Sequence, residues 1–129
     1  MSNSVADDLP LLRNPKGEPA LCLVTGATGY IGGRLISELL GRGYRVRILA
    51  RNSQRLSQHP WIQAVEVIEG DAQDPKALNL ALQNVDVAYY LLHALMAKDN
   101  FEQQERDMAE LFAELAKENQ VKRIVYLGG

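Results

Sequence analysis

Leu21-Cys22-Leu23-Val24-Thr25-Gly26-Ala27-Thr28-Gly29-Tyr30-Ile31-Gly32-Gly33-Arg34 decides the reading of this chain. An apolar run of strand length meets glycines spaced three apart, Gly26, Gly29 and Gly32. Ile31, Leu35, Ile36, Leu39 and Leu40 then recur at helical spacing. Strand, glycine turn, helix is the context in which a glycine pattern points to a dinucleotide. Gly26 permits the tight turn out of the strand, and Gly29 lets backbone approach a pyrophosphate with no Cβ in the way. Gly32 lets the helix pack close to the sheet, and the free N–H groups of its first turn face the anion. No Gly-Lys-Ser/Thr closes the loop, which argues against a phosphate-loop NTPase.

The rest of the chain alternates in kind. The residues predict a strand over 20–25, a helix over 30–40, strands over 44–50 and 64–69, and a helix from Asp74-Pro75 to 83. A nearly all-apolar strand follows over 85–92. Asp99-Asn100-Phe101-Glu102 fits a capping box for the longest helix, to 119, and 123–127 forms the last strand. This order predicts an α/β fold: a Rossmann-type, doubly wound parallel sheet of five strands in order 3-2-1-4-5. Residues 1–19, with Pro10, Pro15, Gly17 and Pro19, read as a loosely ordered leader, and 20–129 as the domain.

Composition narrows the partners. With 14 basic and 16 acidic side chains the net charge is −2, which argues against general nucleic-acid binding. The single cysteine, Cys22, excludes an internal disulfide, and its place in the first strand predicts a buried, inert thiol in a reducing compartment. The N-terminus lacks the apolar segment of a secretory signal, and the most apolar stretch, 85–97, is too short to span a bilayer. A cytoplasmic protein is expected, with no membrane contact made by this stretch.

The ligand is read at the strand ends. About twenty residues past the glycines, where an NAD site carries an acid on the ribose, stand Ala50-Arg51-Asn52. A guanidinium there matches a 2′-phosphate, so NADP(H) is expected over NAD(H). Arg34 would assist, or else is a solvated helix arginine. Arg42, Arg45 and Arg47 are expected at the surface. Asp71, after Gly70, would accept the adenine amino group, or else serves as a turn or cap residue. Leu92-His93-Ala94 would approach the phosphates or the nicotinamide ribose, and His93 reads as a hydrogen-bonded loop residue. No residue is assigned to catalysis or to a metal.

Thr25-Gly26-Ala27-Thr28-Gly29-Tyr30-Ile31-Gly32, Val46-Arg47-Ile48-Leu49-Ala50-Arg51, Gly70-Asp71 and Val121-Lys122-Arg123-Ile124-Val125-Tyr126 resemble the atypical and extended short-chain dehydrogenase/reductases. The nearest branch is the NmrA-like NAD(P)H-binding proteins. Ala88-Tyr89-Tyr90-Leu91-Leu92-His93 and Leu127-Gly128-Gly129 resemble its nucleoside-diphosphate-sugar epimerase-like subgroup. The resemblance implies that Gly26, Thr28, Gly29, Tyr30, Ile31 and Gly32 line the pyrophosphate. It implies that Arg51 holds the ribose phosphate, that Asp71 and Ala72 flank the adenine, and that Leu92, His93 and Ala94 run toward the nicotinamide. It also implies a departure. Gly128 and Gly129 stand where active relatives carry a serine or threonine, and no Tyr-x-x-x-Lys pair is present. The chain therefore reads as the N-terminal part of an oxidoreductase or epimerase-like protein, cut after strand five and inactive alone. The alternative is a non-catalytic NADP(H) sensor or assembly protein. The exposed fifth strand leads to the expectation of a homodimer or swapped assembly.

Overall fold

The computed structural model describes residues 11–26, 30–91 and 101–126. Five strands and three α-helices alternate as β1 (Leu21–Thr25), α1 (Tyr30–Gly41), β2 (Arg45–Ala50), β3 (Glu66–Glu69), α2 (Pro75–Leu82), β4 (Val87–Tyr90), α3 (Phe101–Glu118) and β5 (Arg123–Tyr126). All pairings are parallel, and the order is β3-β2-β1-β4-β5. This is the expected Rossmann-type topology. β1 lies at its centre and is buried along its whole length, whereas the outer strands β3 and β5 are exposed at both ends.

Strand alternation divides the core into two layers. Leu21, Leu23, Leu49, Ala88 and Tyr90 face α2 and α3, where Leu78, Leu82, Met108 and Phe112 pack. Cys22, Val24, Val46, Ile48 and Val87 face the other side, covered by Ile36 and Leu39 of α1 and by Leu56 and Trp61. The last two come from the connection between β2 and β3, which makes two single 3-10 turns, Ser53–Leu56 and Ile62–Ala64. His59 stacks on Trp61 with ring centroids 4.6 Å apart. Among the described residues, no helix is long and apolar enough to cross a membrane.

Capping follows local chemistry. The Asp74 side chain accepts from the Lys76 amide and Pro75 opens α2, as the sequence predicts. α2 and α3 end differently from α1. Asn84 (φ 64°) and Gln120 (φ 61°) take left-handed conformations at positions where glycine is usual. The capping box expected before α3 lies outside the described residues. β4 is shorter than expected. It begins after Asp86, whose carboxylate accepts from the Leu21 amide at 2.8 Å and whose carbonyl accepts from Lys122 and Arg123.

Residues 1–10 of the expected leader lie outside the described residues. From Leu11 the leader follows a hydrogen-bonded path along the amino ends of the strands. Asn14 closes a turn by accepting from the amides of Lys16 and Glu18, and Leu12 donates its amide to the Tyr44 hydroxyl.

One expected surface residue is internal. Arg47 is only 9% exposed. Its guanidinium donates to Glu66 Oε1 at 2.9 Å, to the Ala81 carbonyl at 2.8 Å and to the Gln83 carbonyl at 2.6 Å. The strand alternation puts Arg47 on the α2 side, where the last carbonyls of that helix have no intrahelical donor. A buried arginine satisfies them and ties β2, β3 and α2 together.

Candidate functional site

The carboxyl ends of β1, β2, β3 and β4 open onto one side of the sheet, and the glycine turn leaves from the middle of it. Gly26 has φ +80°, a conformation that side chains resist. A Cβ built there would also overlap the carbonyl oxygen of Leu91, just past β4. Two chain segments that diverge in sequence by 65 residues thus meet where only glycine fits.

A neighbouring side chain holds that meeting in place. Thr25 is fully buried. Its Oγ1 donates to the Tyr89 carbonyl at 3.0 Å and accepts from the Leu91 amide at 3.3 Å. The hydroxyl extends the β1–β4 ladder by one rung at the point where the strands separate. Sequence reasoning did not single out Thr25 as a site residue. A threonine before the first glycine was visible, but the strand it bonds to becomes its neighbour only through the fold.

The other expected residues distribute along the same edge. Gly32 is buried and Ile31, one residue earlier, is 53% exposed, so the first turn of α1 presents an apolar side chain to the open side. Arg51 stands just past β2, exposed, and its guanidinium makes no hydrogen bond or ion pair among the described residues. Asn52 caps the following 3-10 turn by accepting from the Gln54 amide at 3.1 Å. Arg34 is exposed on α1.

At the end of β3, Gly70 donates its amide to the Ala50 carbonyl, so β2 and β3 finish side by side. A Cβ at Gly70 would come within 2.8 Å of Ala77, which brings the start of α2 close to the strand ends. Asp71 is exposed and accepts from the Gln73 amide at 2.9 Å through Oδ1, so it acts as a turn residue. Ala72 is buried against the α2–α3 layer. Thr28, Gly29, Leu92, His93 and Ala94 lie outside the described residues, as does the side chain of Tyr30.

Among the described residues, the perturbed ionisable groups lie in the sheet interior. Burial pushes the Cys22 thiol up to about 12, with Asp86 adding to the effect, which suits an inert thiol. Burial, then Glu105 and Tyr126, push the Tyr90 hydroxyl to about 12. Tyr90 packs edge-on against Phe112 and its hydroxyl has no hydrogen-bond partner among the described residues. Burial also raises Tyr89. All three stay protonated near neutral pH. Among the described residues, no group of three or more His, Cys, Asp or Glu side chains is placed to hold a metal.

The arrangement at this edge has features that suit a ligand. It offers a glycine-built close approach, a helix N-terminus behind it, and a guanidinium left over at the next strand end.

Comparison with known proteins agrees with this geometry. A family model described as NAD(P)H-binding matches residues 26–129. Sterol demethylase protein B of Methylococcus capsulatus is 31% identical over 81% of this chain and 33% of its own length. Ceramide reductase of Caulobacter vibrioides is 33% identical over 73% of this chain and 30% of its own. The chain thus spans about a third of the length of these curated relatives. Among solved structures, triphenylmethane reductase of Citrobacter sp., complexed with NADP(H), superposes with a TM-score of 0.69 at 28% identity, covering 83% of this chain and 36% of that one.

Proposed function

The chain belongs to the NAD(P)H-binding family, and from that premise we propose that it forms the nucleotide-holding part of an NADP(H)-dependent reductase or epimerase-like protein. The observation that carries the NADP(H) reading is Arg51. It is an exposed guanidinium with no partner among the described residues, at the strand end where an NAD site would place a carboxylate. A guanidinium binds a phosphate through two parallel hydrogen bonds and repels nothing that a 2′-phosphate brings.

The residues fit a dinucleotide crossing the strand ends. Gly26 turns the chain out of β1 against the Leu91 carbonyl, where a Cβ would not fit, and Ile31 in the first turn of α1 is exposed. Amides of that turn would hold the pyrophosphate, and Arg51 the ribose phosphate. Asp71 and Ala72 would flank the adenine: Asp71 uses one carboxylate oxygen in its own turn and offers the other. Leu92, His93 and Ala94 would continue toward the nicotinamide. When bound, the nicotinamide supplies hydride transfer. This chain orients it and supplies no acid–base pair of its own.

The names of the reductases above support a reductase for the whole protein. Gly128-Gly129 supports the second reading, a sensor of NADP(H) that does not turn it over, because no hydroxyl is available there to polarise a carbonyl. A cytoplasmic place belongs to either reading. Among the described residues β5 pairs with β4 alone, and Tyr126 is 53% exposed, so association of two copies through this edge is also expected. Light scattering at high concentration would read it, and a monomer would count against it.

Calorimetric titration of the folded chain with NADPH and with NADH tests the central reading. Tighter NADPH binding supports it, and absence of binding by both overturns it. Turnover of NADPH with carbonyl compounds by the bound chain would eliminate the sensor.

A further inference from the structure

We propose that a groove at the amino ends of the strands is a docking site for an extended acidic peptide of a partner protein. This surface lies at the opposite end of the sheet from the glycine edge, and the proposal does not depend on the nucleotide reading.

The argument starts from shape. The groove has a volume of about 820 Å³ and is lined from Glu66 on β3 to Lys122, just before β5. β3 and β5 are the two outer strands of the described sheet, so the groove crosses it from side to side. Four steps between neighbouring strands span about 19 Å, the length of about six residues of extended chain. Backbone amides on its floor are already taken. The Leu21 amide donates to the Asp86 carboxylate, and the Lys122 and Arg123 amides donate to the Asp86 carbonyl. Recognition of a peptide there falls to side chains.

Four lining side chains make no hydrogen bond or ion pair among the described residues: Lys16, Asn84, Gln120 and Lys122, all exposed. The acids of the groove, by contrast, are engaged. Glu18 accepts from Asn14, Glu66 from Arg47 and Asp86 from Leu21. Two ammonium groups are thus left over, which selects carboxylates on the ligand. Asn84 and Gln120 supply primary amides, which donate and accept as a peptide group does. Both stand in left-handed backbone, φ 64° and 61°, just past the ends of α2 and α3, where glycine is less strained. No side-chain bond inside the described protein offsets that strain at either residue, whereas a peptide in the groove would.

Fluorescence polarisation with a labelled, end-blocked hexaglutamate peptide tests the proposal, with and without saturating NADPH. Saturable binding is expected in both conditions. Hexalysine should not bind, and glutarate, a dianion without an extended chain, should compete at least about tenfold more weakly. Lys16→Gln and Lys122→Gln should each weaken the peptide by about threefold. Gln120→Gly is the decisive variant, because it changes no charge and relieves the backbone. It should unfold at or above the wild-type temperature, yet bind the peptide about three- to tenfold more weakly. Asn84→Gly should behave alike. Unchanged peptide affinity in both glycine variants overturns the proposal, since the peptide would then be only a counter-ion of surface lysines. Equal binding of hexalysine, glutarate as tight as the peptide, or no saturable binding overturns it as well. Displacement of the peptide by NADPH would put it at the carboxyl edge and overturn it too.

Discussion

The two ends of the sheet use polar side chains in opposite ways. At the amino ends of the strands lies a groove of about 820 Å³, lined among others by Lys16, Glu18, Arg45, Arg47, Glu66, Asp86 and Lys122. Its polar groups are largely engaged within the protein. Arg47 is held by Glu66 and two carbonyls, and Asp86 accepts from Leu21. Arg45 donates to the Pro19 carbonyl. Glu18 bonds Asn14, and that bond, aided by the Arg45 charge, lowers its pKa. At the carboxyl ends, Arg51 has no partner among the described residues, and Gly26 packs against the Leu91 carbonyl at a φ of +80° that glycine alone takes readily. A charge engaged internally helps hold the fold, whereas an exposed charge with no internal partner is available to a ligand. Changes at the amino end should therefore cost stability, and changes at the carboxyl end should cost binding.

Gly26→Ala should have the largest effect. It places a Cβ at φ +80° against the Leu91 carbonyl, so calorimetry should show NADPH affinity reduced by about a hundredfold or more. Thermal unfolding should show a stability loss of about 1–3 kcal/mol. Near-wild-type binding by this variant would remove the glycine edge from the site.

Arg47→Met comes next and probes the opposite end. It strands the Ala81 and Gln83 carbonyls, and urea unfolding should show a loss of about 2–4 kcal/mol. NADPH affinity measured on the folded fraction should stay within about twofold. A large affinity change with intact stability would reverse the contrast between the ends.

Arg51→Ala should weaken NADPH by about tenfold and leave NADH unchanged. Its stability should stay within about 0.5 kcal/mol of wild type, since the residue is exposed. Equal effects on both nucleotides would sink the 2′-phosphate assignment.

The smallest effect belongs to the sheet interior. The folded-state pKa of Cys22 is raised from 9.0 to about 12, so the unfolded chain loses this proton first as pH rises. The stability from the neutral thiol is complete below about pH 9 and is lost as pH approaches 12. Between pH 8 and 9.5 this thiol should account for a fall of about 1 kcal/mol. Cys22→Ala should flatten that slope, as read from urea midpoints across the pH series. An identical slope would place the titration on other groups, such as Tyr90.

These contrasts also mark what the sequence made legible. Strand order and element kinds followed from periodicity and glycine placement, because both are local patterns with a fixed geometric meaning. Asp74 and Pro75 were readable as a helix start for the same reason. Arg47 was not readable. Alternation in β2 sets its face, but only the packed fold shows that α2 ends beneath it with unsatisfied carbonyls. Asp71 stayed between two roles in the sequence, and the structure shows one carboxylate oxygen, Oδ1, accepting from the Gln73 amide in a turn. The bonds of the Thr25 hydroxyl were not readable because its partners lie more than sixty residues away. Local chemistry is written in short stretches of chain, whereas the engagement of a polar group depends on neighbours that only the fold supplies.

Amide hydrogen exchange with and without saturating NADPH tests the contrast between the two ends most directly. Added protection should concentrate at residues 26–34, 51–52, 71–72 and the chain leaving β4. The amino-end segments 14–18, 84–86 and 119–122 should exchange as in the free protein. Protection at the amino-end groove instead, or none at either end at saturation, would contradict the account.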